Sequence, residues 1–277
     1  MMTAETIHRT VSADGTEVAG RVVGQGPPLV LLHGSLYSGE TAFDGLLPHL
    51  TDRYTCFLPS TRGRGLSAEA DEYRPERLLE DVTAYVDSIG QPVPVFGWSQ
   101  GGMLALGAAA SSDAVSSVIA YEPAVLEEFD EEFMDGFTDT MEHMALEVEQ
   151  GRPAEAARMF LGLMLNDDEF EAFVAEGLHE VAAPCVPADL REFEDLDPDG
   201  PSLTDPDLLA TITVPVLLLQ GDRTPAVFER GNRHVVEHAP TAENRIIPGA
   251  GHGGPGLVPE PVARQLISFL QGTPEAA

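Results

Sequence analysis

The sequence predicts an α/β protein: a parallel sheet covered by helices on both faces, with one helical insertion. Three observations carry this. Strand and helix signals alternate over about the first 120 residues, as they do when parallel strands are joined by helical crossovers. The segment from about Pro123 to Pro206 has no strand signal and is dense in Asp and Glu. After it the alternation resumes. A chain of 277 residues holds one large α/β domain with an insertion, or two small domains. Its 43% hydrophobic content is ample for a core and far above a disordered composition.

Taken in order, Thr6 to Val11 and Glu17 to Val23 read as strands around the Asp14-Gly15 turn, a hairpin opening. Leu29 to Leu32 is a continuous apolar run, as expected of a strand buried on both faces. Thr41 to Leu50 has helical spacing, with Phe43, Leu46, Leu47 and Leu50 on one face. Tyr54 to Leu58 is the next strand. Pro75 to Ile89 is a helix, its proline suited to the first turn and Leu78, Leu79, Val82, Tyr85 and Val86 forming the apolar stripe. Val93 to Gly97 reads as a strand, Gln100 to Ala110 as a small-residue helix and Val115 to Tyr121 as a strand.

Within the insertion, Phe133, Phe137, Met141 and Met144 form one row at helical spacing, and Met159, Phe160, Leu163 and Met164 another. Such rows pack helices onto a main domain, and some members can also line an apolar pocket. Val214 to Gln220 is then a buried strand, Ala226 to His238 a helix, Asn244 to Ile247 a strand and Pro261 to Leu270 a last helix. The tail Gly272 to Ala277 is expected to be a loose end.

The composition narrows the partners. Asp and Glu number 46 against 15 basic residues, all of them Arg, for a formal charge of −31. So strong a negative field argues against nucleic acid and anionic membrane surfaces. It is expected either simply to aid solubility or, the favoured reading, to be an adaptation to high salt, where counter-ions screen self-repulsion. No apolar run approaches the roughly 18 to 20 residues of a membrane span. Met1 to Thr10 lacks the charged and apolar regions of a signal peptide, so a cytoplasmic protein is expected. Cys56 and Cys185 stand in unrelated contexts and are expected to be core or cap residues. Neither a metal nor a cofactor is expected: no CxxC, HExxH or paired His/carboxylate spacing occurs.

The chemistry concentrates in Val95-Phe96-Gly97-Trp98-Ser99-Gln100-Gly101-Gly102, a strand, G-x-S-x-G and then a small-residue helix. That arrangement places Ser99 on a strained strand-to-helix turn as a candidate nucleophile. The flanking glycines are needed because Cβ atoms there would clash with the neighbouring strand and helix, and the helix N-terminus favours developing negative charge. His33-Gly34-Ser35 follows the LVLL strand, so the N–H groups of Ser35 and Gln100 are the candidate oxyanion hole. His33 comes too early in the order Ser, acid, His to be the base, and is expected to hold its loop. His252, on the glycine-rich loop Gly249 to Gly254 before the last helix, is the candidate base. The remaining six histidines are expected to have surface or packing roles.

Over nearly its whole length the chain resembles the α/β-hydrolase family. The matching pieces are His33-Gly34, Thr61 to Ser67, Gly97 to Gly102, Pro215 to Gly221 and Gly251-His252. The resemblance implies an eight-stranded, mostly parallel sheet with a cap inserted after the sixth strand, so that 1–122 and 207–277 form the core and 123–206 the cap. Two departures stand out. Ser60 replaces the Asp of the family's D-x-R-G-x-G-x-S turn, a change expected to matter only locally. The usual acid after the seventh strand is also missing: Thr224 occupies its place and Asp222 comes two residues early. Some members carry the acid after the sixth strand instead, and there this chain has Glu122. Glu122 is the expected acid, with Asp222, reaching in from a shifted turn, as the alternative, and a two-residue arrangement or an acid from the cap also open.

The expected activity is acyl transfer from a small-molecule ester or lactone of a small to medium apolar acid, with Ser99, His252 and the acid acting as a triad. Perhydrolysis, carbon–carbon or amide hydrolysis, a lyase reaction and non-catalytic ligand binding remain alternatives on the same scaffold. Haloalkane dehalogenation is disfavoured, because the resembling enzymes use Asp where this chain has Ser99.

Overall fold

The computed structural model describes residues 5–197 and 200–272. Its strands are β1 (Thr6–Val11), β2 (Glu17–Gly24), β3 (Pro28–Leu32), β4 (Thr55–Pro59), β5 (Val93–Trp98), β6 (Val115–Tyr121), β7 (Val216–Gly221) and β8 (Ala242–Ile247). They form one eight-stranded sheet in the order β1-β2-β4-β3-β5-β6-β7-β8. β2 runs antiparallel to both β1 and β4, and every other pairing is parallel. The apolar runs match the buried interior strands: β7 is buried along its whole length, and β3 at every residue after Pro28.

Alternate residues of these strands feed two cores. Leu29, Leu31, Phe96, Ile119, Leu217 and Leu219 pack on one face. Val30, Leu32, Val95, Val118, Val216 and Leu218 pack on the other. This is the period of two expected of a strand covered on both sides.

Helices α1 (Leu47–Leu50), α2 (Pro75–Ser88) and α3 (Gln100–Ser111) cross between the first strands. The helix expected from Thr41 is confined to α1, with turns before it. Pro48 has no N–H for the Asp44 carbonyl, so a helix running through from Thr41 loses its ladder there. The predicted face is nonetheless buried, with Phe43, Leu46, Leu47 and Leu50 all in the first core.

Between β6 and β7 the described chain is helical, with α4 (Glu131–Glu149), α5 (Pro153–Met164), α6 (Asp167–Ala175), α7 (Leu178–Ala182), α8 (Val186–Glu194) and α9 (Pro206–Leu209). Asp130 caps α4 and Asn166 caps α6, each side chain accepting an N–H of the first turn. Phe137 on α4 sits edge-on to Phe160 on α5 and Phe193 on α8, at 6.2 and 5.7 Å between ring centroids. Met141, Met144, Phe160 and Met164 join the first core. The helical rows therefore pack as their spacing predicts.

Helices α10 (Ala226–His238), α11 (Gly254–Leu257) and α12 (Pro259–Leu270) complete the fold. β8 starts at Ala242 and α12 at Pro259, each two residues earlier than the sequence suggests. Cys56 and Cys185 are buried free thiols. No described helix is long and apolar enough to cross a membrane. The expected loose tail, 273–277, lies outside the described residues.

Candidate active site

β5 ends at Trp98 and α3 begins at Gln100, leaving Ser99 to make the turn at φ 55°, ψ −117°. A serine at positive φ costs about 1–3 kcal/mol and persists only where its surroundings over-determine it. Here they do. The Ser99 N–H donates to the Tyr121 carbonyl at 2.9 Å, and the Ser99 carbonyl accepts from Gly102 at 2.8 Å and Ala124 at 3.2 Å. The flanking glycines follow from close approach, since a Cβ on Gly97 would lie 2.1 Å from the Gly101 carbonyl oxygen and one on Gly101 2.2 Å from that of Leu32.

His252 reaches the same end of the sheet from the loop after β8. Its backbone carbonyl accepts from the Trp98 indole at 2.9 Å, which ties it to the residue before Ser99. Its ring stacks on Phe228, with centroids 3.5 Å apart and planes 5° from parallel. Its Nδ1 lies 2.8 Å from Oε2 of Glu122, a carboxylate with no exposed surface. Glu122 follows β6 directly and is itself held at φ 44°. Its Oε1 accepts the Gly221 N–H at 2.8 Å, and Oε2 also accepts the Thr224 hydroxyl at 2.6 Å. A buried carboxylate with three donors is well compensated for lost hydration.

Asp222 does not join this cluster. It is exposed, and its Oδ1 accepts the Gly249 N–H at 2.7 Å. Thr224, at the family's usual acid position, turns its hydroxyl onto Glu122. A donor there is what a carboxylate entering from β6 requires.

Ser35 and Gln100 both line a cleft beside Ser99. The loop carrying Ser35 is fixed by its neighbour Leu36, which is fully buried at φ 67° with its N–H shared between the two Asp189 oxygens at 3.1 Å. Asp189 pairs with Arg64 at 2.9 Å, Arg64 also pairs with Glu192, and Glu192 accepts from the Gln100 amide at 2.6 Å. Helix α8 thus touches the loop of Ser35 and the first residue of α3, the two segments that bear the candidate oxyanion donors. His33 lies beneath them. Its Nε2 accepts the Thr61 N–H at 3.1 Å, so Nδ1 carries the proton and donates to the Gly34 carbonyl at 2.8 Å. Burial and the Arg64 charge push its pKa down to about 3. Ser60 bonds the Gly39 N–H and Glu40, a local turn role.

The cleft encloses about 860 Å³ of non-atom space, open solvent at its mouth included. Its walls are mostly apolar, among them Phe129, Phe137, Met141, Phe160 and Met164, and Asp189 and Glu192 are its acidic lining residues. No Arg or His is among the described residues lining it. The contacts that sequence reasoning missed are those of Thr224, Trp98, Phe228 and the Arg64–Asp189–Glu192 group. Only Thr224 carried a signal, as the wrong residue in a family acid position.

Comparison with known proteins gives the family. A model of the alpha/beta hydrolase family matches residues 29–265. A pimeloyl-[acyl-carrier protein] methyl ester esterase of Stenotrophomonas maltophilia strain K279a is 30% identical over 251 residues, 83% of this chain and 88% of that protein. Its namesake in strain R551-3 is 35% identical over 144 residues, 46% of this chain and 54% of that protein. An alpha/beta hydrolase from Sphaerobacter thermophilus superposes with a TM-score of 0.71 at 25% identity, covering 95% of this chain and all of that one. The chain belongs to the alpha/beta hydrolase family and is an enzyme of the carboxylic ester hydrolase type.

Proposed function

We propose that the enzyme hydrolyses an ester or lactone of an uncharged, small to medium apolar acid through an acyl-enzyme on Ser99. The observation that carries this reading is the 2.8 Å contact between His252 Nδ1 and buried Glu122, beside the strained turn of Ser99. With Nδ1 engaged, His252 Nε2 is left to take the Ser99 hydroxyl proton as Oγ attacks the carbonyl carbon. The tetrahedral oxyanion is received by the N–H groups of Ser35 and Gln100, and Glu122 stabilises the imidazolium. Collapse breaks the bond to the alcohol oxygen, which takes its proton from His252. Water, deprotonated by His252, then attacks the acyl carbon and releases the acid and Ser99.

The helical segment 123–206 acts as a cap whose Met and Phe side chains receive the acyl chain. The esterase names of the relatives support ester hydrolysis without fixing the acyl group. The charge of −31 with no lysine supports adaptation to high salt.

A fluorophosphonate probe and a series of p-nitrophenyl esters of increasing chain length test this reading. Ser99 is expected to be the labelled residue. Ser99→Ala is expected to lose the label and to lower kcat by about 10³-fold or more. Full activity in that variant would overturn the proposal.

A further inference from the structure

The loop that carries His252 is gripped from two sides. From the sheet, the Tyr121 hydroxyl donates to the Gly251 carbonyl at 2.6 Å, and Trp98 holds the His252 carbonyl. From α6 comes Glu169, buried at 7% exposure and unused by the mechanism above. Its Oε1 accepts the Gly251 N–H at 2.9 Å, while Oε2 accepts the Asn166 amide, also at 2.9 Å. Asn166 in turn donates to the Arg223 carbonyl at 3.1 Å. The helix lies flush on the loop: a Cβ on Gly251 would come within 2.3 Å of Glu169 Oε2, and one on Gly253 within 2.7 Å of Phe173.

A carboxylate seated this way is costly unless its charge is used, because burial disfavours the ionised form. Burial does push the Glu169 pKa up, while the Gly253 and Gly251 N–H groups and His252 act against it. His252 is the one group nearby whose charge changes in the reaction. As it takes the Ser99 proton it becomes a cation with Glu122 on its Nδ1 and Glu169 beneath its own backbone.

We propose that Glu169 is a positioning residue for His252, fixing its loop and supplying a second negative charge that favours the imidazolium. This rests on His252 being the base. It also makes the seating of α6 part of the reaction, since the insertion then contributes to proton transfer as well as to the substrate pocket. The other charged or titratable groups facing this spot are Glu122 and Tyr121 at the end of β6, Asp222 and Arg223 after β7, and Asp168 on α6, which pairs with Arg223.

The deciding variant is Glu169→Gln, which keeps an acceptor for the Gly251 N–H and removes the charge. Kinetics from about pH 5 to pH 9 are expected to show kcat lowered about tenfold with KM changed less than about twofold. The acidic limb of kcat/KM is expected to move down by about half a pH unit or more, because a base that has lost a nearby anion gives up its proton more readily. Asn166→Ala leaves the charge in place and should leave that limb where it is. A Glu169→Gln enzyme with an unmoved limb, whether or not its melting temperature falls, overturns the proposal. If that variant does not fold, Glu169→Asp serves, since withdrawing the carboxylate should lower kcat at least about threefold; unchanged kcat overturns the proposal. His252→Ala separates the two readings. An active His252→Ala defeats the assignment of the base, whereas an inactive one beside an unshifted Glu169→Gln defeats only the role of Glu169.

Discussion

Glu122 Oε2 lies 2.8 Å from His252 Nδ1, so the carboxylate that meets the histidine comes from the strand next to that of Ser99 and not from β7. Replacing Glu122 with Gln keeps the shape and removes the charge, and kcat is expected to fall by about 10² to 10⁴-fold. Asp222→Asn, which alters only an exposed bond to Gly249, should cost less than about tenfold. Steady-state kinetics of the two variants side by side decide the matter: a crippled Asp222 variant with an active Glu122 variant reverses the assignment.

His33 makes the folded state sensitive to acid. Its ordinary value is 6.5 and in the fold it is pushed down to about 3, so between those values the unfolded chain binds a proton that the folded one refuses. Its contribution to stability is therefore complete above the upper value and is lost as pH falls through the window, by up to about 1.4 kcal/mol per pH unit. Denaturation curves of wild type and His33→Gln are expected to converge as pH falls from about 6.5 toward 3. A constant gap between them would count against a neutral, buried His33.

The charge of −31 predicts a dependence on salt. Raising KCl from dilute buffer to about 1 M shortens the screening length to roughly 3 Å, which relieves repulsion among surface carboxylates. Melting temperature and activity are both expected to rise over that range. A flat or falling melting temperature would leave salt adaptation unsupported.

The cleft should reject anions. Asp189 and Glu192 face it, and Arg64, which would otherwise attract a carboxylate, is already engaged by both. A p-nitrophenyl ester of a neutral acid is therefore expected to exceed the half-ester of a dicarboxylic acid of equal length in kcat/KM by about tenfold or more. Equal rates for the pair would show that the two acids do not govern selection.

Much of this was legible in the sequence because it rests on local patterns. The Gly97 to Gly102 turn, the LVLL strand and the helix over Ala226–His238 each follow from spacing and residue type within a short window. Glu122 was legible only through a family pattern, and it stood beside Asp222 as an open choice. The contacts of Glu122 follow from the register of β6 against β7, which brings it to the Gly221 N–H and the Thr224 hydroxyl. The contacts of Glu169, Asp189 and Glu192 were illegible, since helical spacing marks their elements but not which backbone N–H each will meet. The shortened helix at Leu47 was a missed local rule, Pro48 outweighing an apolar face that nevertheless became buried.

Ser99, Glu122 and His252 hang from the ends of three different strands, β5, β6 and β8, and β7 must be seated before the last of these can dock. Assembly of these three residues is therefore expected late in folding. Loop-closure entropy delays contacts between distant parts of the chain, whereas helices form from neighbours. During refolding, ellipticity should thus recover before hydrolysis does, and a species trapped without its last parallel strands would look helical yet turn over nothing. With the proposed triad carrying the activity, recovered hydrolysis is expected to gauge completed sheet assembly.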